Sequence, residues 1–212
     1  KSSYATDLGT MVTNELLSRS ALDHSEVEQM VFGQVIQQPD IPNPSREIAL
    51  ALNMPYSQAY TLSSSCLSGL QALVNVAGSI VSGSISTGIA GGTDSISNAP
   101  FSISPQVVYK FKQIFNAPTL DDKYRLFRQF SWRDLKPHGV NLKDYMTQMS
   151  VAEISEQMAQ SYHISREAQD EYARHSHEKA QDAWRLGLLK DEVMPSFPRP
   201  YTDFVVSDTL VS

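Results

Sequence analysis

"QAYTLSSSCLSGLQALVNVAGSIVSGSISTGIAGGTDSIS", residues 58–97, decides the fold because its local pattern changes twice. "QAYTLSS" reads as a strand, since Tyr60, Thr61 and Leu62 are residue types that suit a pleated, half-buried surface. From Cys66 to Gly83 the residues turn apolar with helical spacing, and Gly83 is a ready stop. "ISTGIAGGTDSIS" reads as a second strand running into a glycine turn.

The preceding residues continue the alternation. Leu8, Met11, Val12, Leu16 and Leu17 fall at spacings of three and four, so residues 7–20 read as an amphipathic helix with Asp7 as its cap and an apolar face that expects a partner upstream. "EVEQMVFGQVIQ" alternates apolar and polar residues from Val31 to Ile36, which predicts a strand there. "REIALALNM" predicts a short helix closed at Asn53-Met54-Pro55. Helix, strand, helix, strand, helix, strand is the order of a layered α/β fold with a sheet buried between helices.

Beyond residue 98 the composition shifts. Residues 99–137 hold aromatics, prolines and seven cations (Lys110, Lys112, Lys123, Arg125, Arg128, Arg133, Lys136) against three Asp, and read as irregular or partly helical. "MSVAEISEQMAQSY" and "SREAQDEYARHSHEKAQDAWRLG" then predict two helices, the second opened by Ser165 and closed at Gly187, belonging to a separate helical cap. The expected division is 1–98, 99–200 and an extended, proline-broken segment 201–212. Over the 212 residues the net charge is −6 and 41% of residues are hydrophobic, which suits a globular core and gives no general attraction to nucleic acid. Neither a membrane-spanning run nor a signal peptide is read in these residues.

Cys66 is the only cysteine, so neither an internal disulfide nor a cysteine-based zinc site can form. Two readings compete for it. A lone cysteine in an α/β protein is commonly a buried small hydrophobe. At a strand-to-helix turn, however, the free amides of the first helical turn favour the thiolate, and the turn projects the sulfur toward the carboxyl edge of the sheet. Ser68 and Gly69 are small enough to let a bulky substrate reach it.

These residues resemble a known family. "SSSCLSGLQAL" is similar to the nucleophile motif of the thiolases, "GIAGGTDSIS" to the strand and turn that follow it, and "FGQVIQ…PNPSREIAL" to a segment in which Asn43 and Arg46 stand in register. "SEQMAQSYHISREAQDEYARHSHEKAQDAWRLGLLKDEVMP" resembles the thiolase cap stretch, and the basic segment 105–137 resembles the thiolase subunit of the fatty-acid oxidation complex. The resemblance implies the N-terminal half of a thiolase fold, a layered α/β/α mixed sheet with an inserted, mainly helical cap. It implies an acyltransferase that cleaves 3-ketoacyl-CoA with coenzyme A through an acyl-Cys66 thioester, with coenzyme A as substrate, no permanently bound cofactor and no metal. It further implies a homodimer or larger oligomer, a hydratase/dehydrogenase partner subunit and a cytoplasmic or organelle-matrix location. Alternatives from the same residues are a biosynthetic acetoacetyl-CoA thiolase and a noncatalytic acyl-CoA or partner-binding protein.

The departures are specific. Ser63 and Ser64 replace an Asn and a polar or basic residue of the family pattern, Leu67 replaces a small one, and Val151–Ile154 replace the Gly and Met or Thr of a coenzyme A-contacting turn. The sequence holds no R-T-P-F, G-H-P, N-E-A-F or C-x-G-G-G motif, so the activating histidine and second cysteine implied by the family are expected elsewhere, in a protein of which this is a fragment inactive alone.

The remaining polar residues have plainer readings. His175 and His177 lie roughly 200° apart around a helix and do not share a face. His24, His138 and His163 read as surface or capping residues, and Asp94 as a turn-stabilising carboxylate. "KYRLFRQFSWRDLKP", with Tyr124, Phe127, Phe130 and Trp132 between cations, reads as a solvated face, a docking surface for coenzyme A phosphates or a partner subunit, or a weak membrane-contacting element.

Overall fold

A computed structural model describes residues 3–128, 135–137, 139, 143–197 and 204–207. These form two compact units, one comprising residues 1–98 with 143–212 and the other residues 99–142.

The first unit is organised by three strands, β1 (Gln29–Gly33), β2 (Gln58–Leu62) and β3 (Gly88–Gly92). They run parallel in the order β2-β1-β3, with Gly33 level with Leu62 on one side and Gly92 on the other. No antiparallel strand of the mixed sheet implied by the family lies beside them among the described residues. Helices α1 (Ala5–Ser20), α2 (Pro44–Ala51) and α3 (Ser68–Val81) supply the layers.

β1 is central, and all five of its residues are buried. The strand lies earlier than the alternation in 31–36 suggests, because a central parallel strand is covered on both faces and carries apolar residues without alternation. Met30 and Phe32 point into one core with Leu17, Ile48, Leu52, Met54 and Ile89; Val31 points into the other with Ala72 and Val76. Burying side chains such as Phe32 or Ile48 contributes about 1.5–3 kcal/mol each.

The buried stripe of α1 differs from the expected one. Ala5, Gly9, Thr13 and Leu17 are buried, whereas Val12 and Leu16 are each 49% exposed. Small residues line the contact because α1 lies close on α2: a Cβ at Gly9 would sit 2.4 Å from Ile48 Cδ1. Asp7 is also not the cap residue but lies within the first turn, where its carboxylate accepts from the Tyr4 amide at 2.9 Å.

α2 begins two residues before the expected Arg46, with Pro44 in its first turn and Asn43 as N-cap. Asn43 and Arg46 are fasteners. Asn43 Nδ2 donates to the Ala59 carbonyl at 3.1 Å, its Oδ1 accepts from the Arg46 amide and the Thr61 hydroxyl, and the Arg46 guanidinium donates to the Pro55 carbonyl.

Also in this unit, α6 (Val151–Ser161) and α7 (Arg166–Arg185) match the expected helices, with Ser150 and Ser165 accepting first-turn amides. Ser196 and Val205 form an isolated antiparallel bridge, and Phe197 packs on Phe204 with centroids 6.0 Å apart.

The second unit is more ordered than its composition suggests. Pro105 sets the first turn of α4 (Pro105–Asn116) and the Ser104 hydroxyl caps it; α5 (Leu120–Arg128) follows after three residues. Phe130, Trp132, Arg133 and His138 lie outside the described residues.

Candidate functional site

β2 ends at Leu62, and the chain turns through residues 63–67 before α3 begins at Ser68. The helix therefore opens two residues later than the apolar run suggests, with Leu67 as its N-cap, and Cys66 stands in the turn just outside it. The cause is local hydrogen bonding. Ser68 Oγ accepts from the Ser64 amide at 2.8 Å and donates to the Ser65 carbonyl at 2.6 Å, while the Leu67 and Ser68 amides donate to the carbonyls of Ser64 and Ser65. This tight loop closes only with Ser65 at φ +49°, a left-handed conformation that costs a non-glycine residue roughly 1 kcal/mol or more. The strain aims the next side chain outward, and Cys66 is exposed. The buried-hydrophobe reading of Cys66 is thereby removed.

Three glycines set the turn's height above the sheet. A Cβ on Gly33 would lie 2.4 Å from the Ser68 carbonyl carbon and 2.7 Å from the Gly69 nitrogen, and one on Gly92 would lie 3.7 Å from Gly69 Cα. The strand ends and the first turn of α3 thus meet backbone to backbone. Because β1, β2 and β3 are parallel, Gly33, Leu62 and Gly92 share the carboxyl edge, and Cys66 stands at that edge, where open α/β sheets take ligands. The ladder continues one residue further on both sides, with Gln34 N donating to the Leu62 carbonyl and Thr93 N to the Gly33 carbonyl. Among the described residues, no acceptor meets the first-turn amides of Gly69 and Leu70, which leaves two donors close in sequence to the thiol.

Asp94 braces the same edge. Its carboxylate accepts from the Val35 amide at 3.1 Å and the Ile36 amide at 2.7 Å, tying the segment after β1 to the turn after β3. That arrangement explains why residues 34–36 leave the strand pattern. Sequence reasoning missed Ser65 and Ser68 as architects of the turn; the signal was a run of three serines, which offers hydroxyls where a tight turn needs acceptors and donors.

The histidines lie elsewhere. His24 Nδ1 is 2.7 Å from the Leu52 carbonyl, His163 follows the C-cap of α6 at φ +53°, and His175 lies between Glu171 and Glu178 on α7. The covering of α3 is one-sided: it buries Ser68, Ala72 and Val76, while Leu67, Leu70, Leu73, Val74 and Val81 are all more than half exposed.

The strand-turn-helix at Cys66, its glycine floor and the parallel sheet define a thiolase-type half-fold. The sequence profile of the thiolase N-terminal domain matches residues 1–208, and the chain belongs to the thiolase family. Among curated relatives it is 42% identical over 205 residues to the 3-ketoacyl-CoA thiolase of Pseudoalteromonas translucida, covering 96% of this chain and 47% of that protein. To the 3-ketoacyl-CoA thiolase of Serratia proteamaculans it is 42% identical over 208 residues, covering 98% and 48%. Among solved structures it matches the Acat5 thiolase of Ascaris suum in complex with coenzyme A, with a TM-score of 0.77 at 26% identity over 97% of this chain and 48% of that one. The acetyl-CoA acetyltransferase of Bacillus anthracis matches with a TM-score of 0.76 at 26% identity, with the same coverage of both chains. The chain thus spans about half the length of the relatives it matches.

Proposed function

We propose that this chain supplies the nucleophile of a 3-ketoacyl-CoA thiolase, an acyltransferase of fatty-acid β-oxidation. The observation that carries the reading is the exposed Cys66 on a strained turn at the carboxyl edge of a parallel sheet. The Cys66 sulfur attacks the 3-keto carbonyl, the bond between C2 and C3 breaks, and C2 takes a proton to release acetyl-CoA. The shortened acyl group remains as a thioester on Cys66 until the thiol of coenzyme A displaces it and returns the proton to the cysteine. The amide donors at the start of α3 support stabilisation of the oxyanion in both steps. Coenzyme A is substrate in this scheme, in keeping with the coenzyme A complex of the Ascaris relative.

The uncovered apolar face of α3 supports a catalytic centre completed by residues outside this sequence, which would include the histidine and second cysteine that the family resemblance implies. We propose the same for the assembly: a homodimer or larger oligomer with a hydratase/dehydrogenase subunit, in the cytoplasm or an organelle matrix. Among the described residues, no helix is long and apolar enough to cross a membrane. The division into a half-fold over 1–98, an inserted cap over 99–200 and a return segment over 201–212 is likewise proposed; α6 and α7 group with the unit containing the sheet.

The test is acyl transfer. In the protein with its second half present, 3-ketoacyl-CoA and coenzyme A yield acetyl-CoA, and mass spectrometry finds the acyl group on the Cys66 peptide; Cys66→Ala abolishes both. Turnover that survives Cys66→Ala refutes the assignment. The 212 residues alone are expected to show negligible turnover, and cleavage of acetoacetyl-CoA by them would refute the need for a second half.

A further inference from the structure

A cleft of about 440 Å³ lies beside the last turn of α7, within the range of about 300–1,000 Å³ that holds small molecules. Its apolar wall is made by Trp184, Leu189, Val193, Pro195 and Val206, with Arg19 and Lys190 beside them. The polar side-chain groups of these described lining residues are all donors: a guanidinium, an ammonium and an indole N–H. Backbone acceptors at the helix end are already taken, because the carbonyls of Asp182, Ala183 and Trp184 accept from the amides of Leu186, Leu188 and Gly187. Arg19 is held in place: its Nε donates to Glu15 at 2.7 Å and its Nη1 to the Asp191 carbonyl, so Glu15 offsets part of its charge. Among the described residues, no acceptor meets the Lys190 ammonium or the Trp184 indole.

The cleft stands at the far end of the sheet from Cys66. Thr93, one residue past β3 on the carboxyl edge, donates its hydroxyl to the Ala5 carbonyl at the start of α1 at 2.7 Å. Arg19, in the last turn of the same 16-residue helix, lies roughly 20 Å further along, toward the amino edge where β1 begins.

We propose that this cleft is a second ligand site and binds an aliphatic carboxylate of medium length. An anion answers the donor-only lining and an alkyl chain answers the apolar wall, whereas a neutral alcohol supplies a weaker acceptor and a cation supplies none. The ligand joins α1 to the segment after α7, since Arg19 comes from the first and Lys190 and most of the wall from the second. The site does not involve Cys66, so its failure would leave the acyl-transfer reading untouched.

The test is titration of the protein, with its second half present and labelled with 5-fluorotryptophan, with octanoate, octanol and octylammonium. The fluorine resonance lost in Trp184→Phe belongs to Trp184. Octanoate should move that resonance saturably with a dissociation constant on the order of 0.1–1 mM, and the alcohol and the ammonium should bind about tenfold or more weakly. Lys190→Gln, at an exposed position that does not threaten folding, should weaken octanoate by about threefold to tenfold and leave octanol unchanged. Arg19→Gln combined with Lys190→Gln should bring octanoate to the level of octanol. Val206→Phe, also at an exposed position, should narrow the cleft and weaken both. Binding should survive Cys66→Ala and an excess of coenzyme A. The proposal is overturned if octanol or octylammonium binds as tightly as octanoate, or if octanoate leaves the Trp184 resonance in place. It is overturned too if coenzyme A displaces octanoate, because the carboxylate would then occupy the thioester site.

Discussion

Replacing Gly33 with Ala should separate the sheet from the helix that follows the Cys66 turn. The new methyl carbon would sit 2.4 Å from the Ser68 carbonyl carbon, 2.6 Å from Ser68 Cβ and 2.7 Å from the Gly69 nitrogen, whereas ordinary contact begins at 3.4 Å. Two of these atoms are backbone and the third is a Cβ fixed to it, so no flexible side chain can swing aside, and α3 must retreat by about 1 Å. Such a retreat loosens Ala72 and Val76 against Val31, the smaller of the two cores. Overpacking of this kind costs about 1–3 kcal/mol, and the alanine recovers part of that, roughly 0.4–1 kcal/mol, by restricting the unfolded chain. A net loss of about 1–2 kcal/mol lowers the melting temperature by roughly 2–8 °C for a chain of this size. Thermal unfolding followed by circular dichroism reads the shift. Gly69→Ala is the matched control: nothing lies within 4 Å of its added carbon, so it should be neutral or slightly stabilising. A Gly33→Ala protein that melts with its parent, or a Gly69→Ala protein damaged as badly, would show that the strand ends and the helix do not meet as described.

Three further perturbations report on separate parts of the fold. Asp94→Ala strips the acceptor from the Val35 and Ile36 amides and should cost roughly 1–3 kcal/mol in urea unfolding, with Asp94→Asn losing less because an amide oxygen still accepts; equal stability of all three proteins would contradict this role. His163→Gly relieves a left-handed residue at φ +53° after α6 and should stabilise by about 0.5–1 kcal/mol, and a drop in the denaturation midpoint would be the contrary result. The Glu153 carboxyl is held below its ordinary value of 4.5, first by the Ser150 amide, then by the Ser150 hydroxyl and the charge of Lys143. A depressed carboxylate stabilises the fold above its unfolded value, and that contribution fades as pH falls below about 4.5, so Glu153→Gln should weaken α6 at neutral pH and flatten its acid dependence. An unchanged acid limb of the helical signal in Glu153→Gln would count against the capping assignment.

The sequence alone determined the alternation of helices and strands, the two later helices with their serine caps, and the placement of Cys66 after a strand and before a helix. Those features are written in periodicity, capping residues and glycine stops, which act over a few residues and so survive without knowledge of the fold. Only the tertiary structure decided which residues of α1 are buried: α2 approaches so closely, with Ile48 against Gly9, that Gly9 and Thr13 rather than Val12 and Leu16 face inward. Tertiary structure likewise moved β1 to Gln29–Gly33, because burial on both faces erases alternation. The site shows the same split. The thiol, its place near a helix start and the serine run that closes the turn were legible; the left-handed Ser65 and the double use of Ser68 Oγ show only once that loop is built, and the glycine floor under Gly69 arises from contacts between segments over 20 residues apart, which no local pattern encodes.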